Sequence, residues 1–273
     1  MSQTDLFGGQ AKKRVDLDCP CAYKGITAQL YDLWFDVNKP FEDLLFYQKH
    51  IRKNGGIALE IASGTGRLLL PYLREGMNVE GLEPSLDMNN ICLEKAENFG
   101  VKPVLHPQAM ESMKISLSYK TIYIPLFSFQ LLVKRSDIFE ALRRFYLHLE
   151  KNGQLLIALF IPEASVTTSQ DGTWKIRSKA GCPEDGSHVV VSEATIHNQF
   201  DQIQNKWFRY EIYNGGEQVI QTIIKTVNIR WYYPYEFTIM LEKIGFRDVF
   251  IYGDYTDEAA NNKSETLIFS ARR

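Results

Sequence analysis

The sequence predicts an α/β fold built on a doubly wound, mostly parallel sheet. Three observations lead there. Short, nearly continuous apolar runs alternate with helical patterns between residues 57 and 161. A glycine turn, Ser63-Gly64-Thr65-Gly66, joins the first of these runs to the helix after it. The composition is ordinary for a globular chain, with 45% hydrophobic and 23% charged residues among 273. Strands buried under helices on both faces read as continuous apolar runs, whereas half-exposed strands alternate.

Each element follows in order. Residues 1–22 are polar and aperiodic and read as a tail. A helical cap is expected over 23–56. Leu30, Leu33, Trp34 and Val37 fall at helical spacing, then Pro40 opens a second helix that Asn54-Gly55-Gly56 stops. Strands are expected at 57–61, 77–82, 101–105, 121–124 and 154–161. The helices between them include one capped by Ser85 and one capped by Ser136. Lys151-Asn152-Gly153 is read as the turn into the fifth strand.

Residues 163–230 break this rhythm. Candidate strands at 174–178, 188–200, 206–213 and 218–230, with turn chemistry at 201–205 and 214–216, predict an antiparallel insertion. The α/β pattern resumes with a helix at 235–244 and strands at 248–253 and 265–271. The core is therefore expected at 57–162 and 231–273, with seven strands. At roughly 150 residues per domain, the chain has room for one domain and a sizeable addition, which the insertion supplies.

Charge is balanced, 31 basic against 33 acidic residues, so no whole-molecule attraction to nucleic acid or an anionic membrane is expected. No apolar run reaches the roughly 18 residues of a spanning helix, and the start has no signal-peptide core. The expectation is a cytoplasmic protein. Cys19, Cys21, Cys92 and Cys182 form no CxxC pair and have no histidine at zinc-finger spacing, so reduced thiols and no metal site are expected.

The most informative stretch is Glu60-Ile61-Ala62-Ser63-Gly64-Thr65-Gly66-Arg67, followed by Glu83 at the end of the second strand. Glycines between a strand and a helix let the backbone approach a ligand closely, near helix N–H groups. A carboxylate at the second strand's tip can accept both hydroxyls of a ribose, which places an adenosine-bearing ligand across the carboxyl edge of a Rossmann-like sheet. A dinucleotide fingerprint would need GxGxxG. Here Ala62 takes the first glycine position and Arg-Leu-Leu follows Gly66. Glu60 would repel a phosphate but suits an ammonium group.

The run IALEIASGTGRLLLPYLREGMNVEGLEPSLDMNNICLEKA resembles the first two motifs of class I S-adenosylmethionine-dependent methyltransferases. YIPLFSFQLL resembles the fourth-strand segment of small-molecule N-methyltransferases of the glycine and amino-sugar kind, and AQLYDLWF is similar to their cofactor-closing helix. The resemblance covers about residues 23–160 and 232–273.

It implies S-adenosyl-L-methionine as cofactor, with Tyr23, Tyr31, Glu60, Ala62, Ser63, Gly64, Gly66 and Arg67 around its methionine part. Glu83, Pro84, Ser85, Met88, Gln108, Ala109 and Met110 would surround its adenosine, with Pro125, Leu126 and Phe127 at the fourth strand. Trp34, Ser128, Phe129 and Trp231 would form an acceptor pocket. Ala109 stands where the family often carries an acid for the adenine amino group, which leaves backbone groups and packing to hold the base. Leu126-Phe127 replaces small or amide residues and points to a more apolar pocket.

The expected reaction is in-line methyl transfer to a small molecule, with an amine as the first choice. His188 and His197 are the candidates for a general base, if one is needed. Three other readings stay open: an NAD-dependent oxidoreductase, a nucleic-acid methyltransferase, and a non-catalytic S-adenosylmethionine-binding protein. The sequence leaves the acceptor and the oligomeric state open, a homodimer included.

Overall fold

The computed structural model describes residues 15–18, 23–34, 42–162, 172–181, 186–216 and 218–273, with backbone alone at 15–18, 26, 33 and 34. The chain divides into two compact units, Ala22–Ile161 with Arg230–Arg273 and Met1–Cys21 with Pro162–Ile229.

The larger unit carries the sheet. Its strands are β2 (Ala58–Ile61), β3 (Val79–Leu82), β4 (Leu105–His106), β5 (Tyr119–Ile124), β6 (Leu149–Phe160), β11 (Arg247–Gly253) and β12 (Thr266–Arg272). They stand in the order β11-β12-β6-β5-β2-β3-β4. The pairs from β6 to β4 are parallel, while β12 runs antiparallel to both β6 and β11. From β2 the chain builds outward to β3 and β4, then returns to place β5 on β2's other side. The carboxyl ends of β2 and β5 therefore flank a topological switch point, where open α/β sheets bind ligands.

Successive strand residues point to opposite faces, so each face has its own core. Leu59, Ile61, Ile122 and Ile124 pack with α5 (Arg135–His148) and α6 (Pro234–Ile244). Ala58, Val79, Tyr123 and Leu156 pack with α2 (Glu42–Asn54), α3 (Leu69–Arg74) and α4 (Leu86–Phe99). The sequence signals act as their chemistry requires at several helix ends. Ser85 Oγ accepts from Met88 N–H at 3.2 Å to cap α4, and Gly100 ends it at φ +66°.

Four expectations for the larger unit need correction. Ser136 is not a cap. Lys134 holds that position, and Ser136 lies inside the first turn with its hydroxyl bonded to Asp137. Lys151-Asn152-Gly153 does not end an element. Asn152 takes φ +62° within β6, and the pairing jumps from Tyr119↔Leu149 to Thr121↔Gln154, which is a bulge. The first cap helix is not continuous: α1 (Ile26–Gln29) gives way to a 3-10 turn at Tyr31–Trp34, whose Asp32 is bound to Thr65 and Lys95. The strand expected at 101–105 is only the two residues of β4.

The smaller unit is a second sheet of order β1-β10-β9-β8-β7. It comprises β7 (Lys175–Gly181), β8 (His188–Asn198), β9 (Ile203–Tyr213), β10 (Val219–Arg230) and β1 (Val15–Asp18). The last of these corrects the reading of 1–22 as tail throughout, because Val15–Asp18 pairs in parallel with Thr222–Lys225. The β8–β9 turn also comes earlier than expected. Ile203 is already paired with Asn198, and Asn198 Oδ1 accepts from Asp201 N–H at 3.1 Å.

Candidate functional site

The turn after β2 is built from alternating left-handed residues. Ala62, Gly64 and Gly66 have φ of +55°, +55° and +82°. Gly66 is required by packing, because a Cβ there would lie 2.6 Å from Cys92 Sγ and 2.8 Å from Leu70 Cγ. A Cβ at Gly64 would meet only the Ala62 carbonyl oxygen, at 3.9 Å. Ala62 adopts the conformation of the glycine it replaces and carries the associated strain.

This turn, the end of β5 and the cap form a cleft lined by Tyr31, Glu60, Ala62, Ser63, Gly64, Thr65, Arg67, Pro125, Leu126 and Ser128. Glu60 is 2% exposed, and Tyr123 Oη donates to its Oε2 at 2.8 Å. Burial pushes its carboxyl up to about 8, against the lowering effects of Tyr123 and Arg67. Glu60 is therefore predominantly neutral at pH 7 in the ligand-free protein. Arg67 makes a two-pronged ion pair with Asp43 of α2. Burial holds the Tyr31 phenol far above its ordinary value. Ser63 Oγ is buried and without a partner among the described residues.

At β3's tip, Glu83 uses both carboxyl oxygens. Oε2 accepts from Gly64 N–H at 3.1 Å and Oε1 from Ser85 N–H at 2.8 Å. One side chain thus joins the glycine turn to the start of α4. The cap is fastened to the same edge: Ser85 Oγ donates to the Tyr23 carbonyl, and Gly25 N–H donates to Asp87 at 2.6 Å. Tyr23 and Tyr31 meet edge to face at 4.9 Å.

Of the residues expected around a cofactor, eight line the cleft: Tyr31, Glu60, Ala62, Ser63, Gly64, Arg67, Pro125 and Leu126. Ser128, expected in the acceptor pocket, lines it too. Tyr23, Gly66, Glu83, Pro84 and Ser85 are not among the lining residues and belong to the cap, the turn, the β3 tip and the α4 start. Met88 is buried in α4. Gln108 Oε1 accepts from Lys114 N–H at 2.6 Å, closing the loop that holds Ala109 and Met110. Phe127 packs on Phe160 at 4.9 Å.

Two acceptor-pocket expectations meet a different environment. Phe129 is fully buried against Phe145, Tyr232 and Phe237, and Trp231 is 4% exposed. The side chain of Trp34 lies outside the described residues. His188 and His197 lie on β8, at positions paired with Tyr213 and Gln204. They are nine positions apart in an unbroken register, so they occupy opposite faces, roughly 30 Å apart along the strand. His188 stacks on Tyr213 at 4.6 Å, and His197 Nε2 meets the Gln204 amide at 2.7 Å.

Sequence reading missed Thr65, Tyr123 and Asp43. Thr65 stood inside the quoted turn and could have been found there. Tyr123 and Asp43 gave no local signal, because both reach the site through tertiary packing.

No family model matches the chain. A candidate methyltransferase of Geobacillus sp. (strain WCH70) is 26% identical over 265 residues, covering 91% of this chain and all of that protein. Another, from Bacillus subtilis (strain 168), is 23% identical over 80% of this chain and 84% of its own length. Among solved structures, an S-adenosylmethionine-dependent methyltransferase from Clostridium acetobutylicum ATCC 824 superposes with a TM-score of 0.72 at 14% identity, covering 90% of this chain and 96% of that one. The sugar N-methyltransferase KedS8 of Streptoalloteichus sp ATCC 53650 does so with 0.72 at 15% identity, covering 97% and 99%. The chain has the fold of the class I S-adenosylmethionine-dependent methyltransferases, and its sequence resembles those two candidate methyltransferases over most of its length.

Proposed function

We propose that the protein transfers a methyl group from S-adenosylmethionine to a small-molecule amine. The observation that carries this reading is the buried Glu60 carboxyl in a cleft at the switch point, with Glu83 at the neighbouring strand tip. The donor set fits the group. Glu60 suits the ammonium, and the Ser63 hydroxyl, buried without a partner among the described residues, offers a polar contact beside it. Glu83 and the Gln108–Met110 loop would serve the adenosine.

When bound, the cofactor supplies an electrophilic methyl on a sulfonium, so the protein needs little acid–base machinery. The chain's own contribution is alignment and exclusion of water. Tyr31 and the cap residues about it close one side of the cleft. Leu126 and Ser128 form its β5 wall, and the Ser128 hydroxyl would hold the acceptor amine. The amine class is supported by the resemblance of the β5 segment. It is supported too by neighbours described as a sugar N-methyltransferase and an amino pentose methyltransferase.

Calorimetric titration with S-adenosylmethionine, S-adenosylhomocysteine and NAD in parallel tests the cofactor. Binding of both S-adenosyl ligands and not NAD is expected, with loss in Glu83→Ala. A screen of amines, alcohols and thiols that reads S-adenosylhomocysteine release tests the acceptor. Turnover confined to alcohols or thiols would refute the amine class.

A further inference from the structure

Beyond β3 the sheet is held by its shortest strand. β4 has two residues and lies at the edge with β3 as its neighbour. So short a strand has few ladder bonds, and its position depends on what else anchors it. His106 provides that anchor in two ways. Its carbonyl accepts from Glu83 N–H at 3.1 Å and from Gln108 N–H at 2.8 Å. One oxygen thereby links the acid at β3's tip to the loop beginning at Gln108. Its imidazole Nε2 meets Glu80 Oε2 at 2.8 Å, and Tyr119 Oη donates to the same oxygen at 2.7 Å. The side chains of Glu80 and His106 are 11% and 20% exposed, so water replaces these bonds poorly.

At Gln108–Met110 the loop after His106 has no acid to offer an adenine amino group. Ala109 has no polar side chain, and Gln108 is engaged with Lys114. A base held by backbone groups requires that backbone to be placed in advance, because main-chain atoms cannot adapt by changing rotamer. We propose that His106 is a positioning residue for the adenosine half of the cofactor, fixing Glu83 and the Gln108–Met110 loop relative to each other while Glu80 and Tyr119 hold its ring. This inference rests on the S-adenosyl reading of the cleft.

The test measures affinities of the full-length protein for S-adenosylhomocysteine and for 5′-methylthioadenosine, which lacks the amino-acid half. His106→Leu is expected to weaken both ligands by the same factor, about tenfold, the scale of one lost buried bond. His106→Gln keeps a donor for Glu80 and is expected to restore most of that affinity. Tyr119→Phe removes one hydroxyl from the middle of the fold and should weaken both ligands equally, by about threefold. As a control, Glu60→Gln should weaken S-adenosylhomocysteine alone.

Unchanged affinities in His106→Leu and Tyr119→Phe would overturn the inference, as would a loss confined to S-adenosylhomocysteine or a failure of His106→Gln to rescue. Wild-type protein that binds S-adenosylhomocysteine but not 5′-methylthioadenosine would overturn it too. Wild-type protein that binds neither refutes the S-adenosyl reading itself.

Discussion

Replacing Glu60 by Gln tests the floor of the cleft through stability and ligand binding together. The Glu60 carboxyl is raised from an ordinary 4.5 to about 8 by burial. With its folded value above its unfolded one, Glu60 favours the folded state fully only below the unfolded value. That contribution fades as pH rises and is gone above the folded value. Between pH 4.5 and 8 the unfolded chain releases a proton that the folded chain keeps, at about 1.4 kcal/mol per pH unit. Gln carries no such proton and still offers an oxygen to Tyr123. Relative to wild type, Glu60→Gln should therefore gain about 1 kcal/mol at pH 5 and about 4 kcal/mol at pH 8. Denaturant unfolding at several pH values measures this. Binding reports the other side of the same proton: an ammonium beside Glu60 draws out its ionised form. At pH 6.5 wild-type protein should release close to one proton on binding S-adenosylhomocysteine, and Glu60→Gln none. Calorimetry in two buffers of different ionisation enthalpy reads the difference. A stability difference independent of pH, with no proton released, would refute both the burial argument and the ammonium assignment.

Three further outcomes follow from the same geometry. Glu83→Ala leaves the amides of Gly64 and Ser85 without their acceptor and should cost about 1–3 kcal/mol in denaturant unfolding; S-adenosylhomocysteine affinity should fall at least tenfold by calorimetry. Ala62→Gly relieves a left-handed alanine, offset by the entropy of the freer unfolded chain, and should stabilise by about 0.5–1 kcal/mol; a loss of stability would show that the Ala62 methyl makes compensating contacts. Because His188 and His197 occupy opposite faces of β8, His188→Ala and His197→Ala should not both abolish turnover while leaving unfolding midpoints unchanged, which steady-state kinetics on each variant checks.

The fold was legible where one residue type had a single physical use. Gly66 cannot be anything else beside Cys92 and Leu70, Ser85 caps α4, and the apolar runs of β2 and β5 are buried on both faces. Legibility failed where the partner was distant in sequence. Val15–Asp18 is too short and polar to announce a strand, and it is one because β10 offers it an edge. Ser136 had the right chemistry for a cap but stands two positions past it, since Lys134 is the cap and α5 begins at Arg135. In the site, the turn and both acids stood in the sequence, whereas the Asp43–Arg67 pair joins residues 24 apart and the Tyr123–Glu60 bond joins residues 63 apart. Phe129, the aromatic beside the cleft residue Ser128, is expected in an acceptor pocket, and the 3-10 turn after β5 sets its ring within the core, a placement that only the tertiary packing fixes.

The charges around the cleft also discriminate between nucleoside ligands. Arg67 is engaged by Asp43 through both terminal nitrogens, so that pair is close to neutral as a unit. Lys95 is likewise paired with Asp32 and bonded to Thr65. What remains on the floor is Glu60, a buried acid that stays neutral until something stabilises its charge. A diphosphate placed there would add negative charge beside a carboxyl and meet no uncommitted Arg or Lys among the cleft-lining residues. It would force Glu60 still further toward its neutral form, and the missing third glycine denies it the close backbone approach. An ammonium does the reverse: it lowers the cost of ionising Glu60 and gains a buried, charge-assisted partner in return. The same acid that penalises the empty protein above pH 5 is thus the element that selects an amino-acid-bearing nucleoside over a dinucleotide.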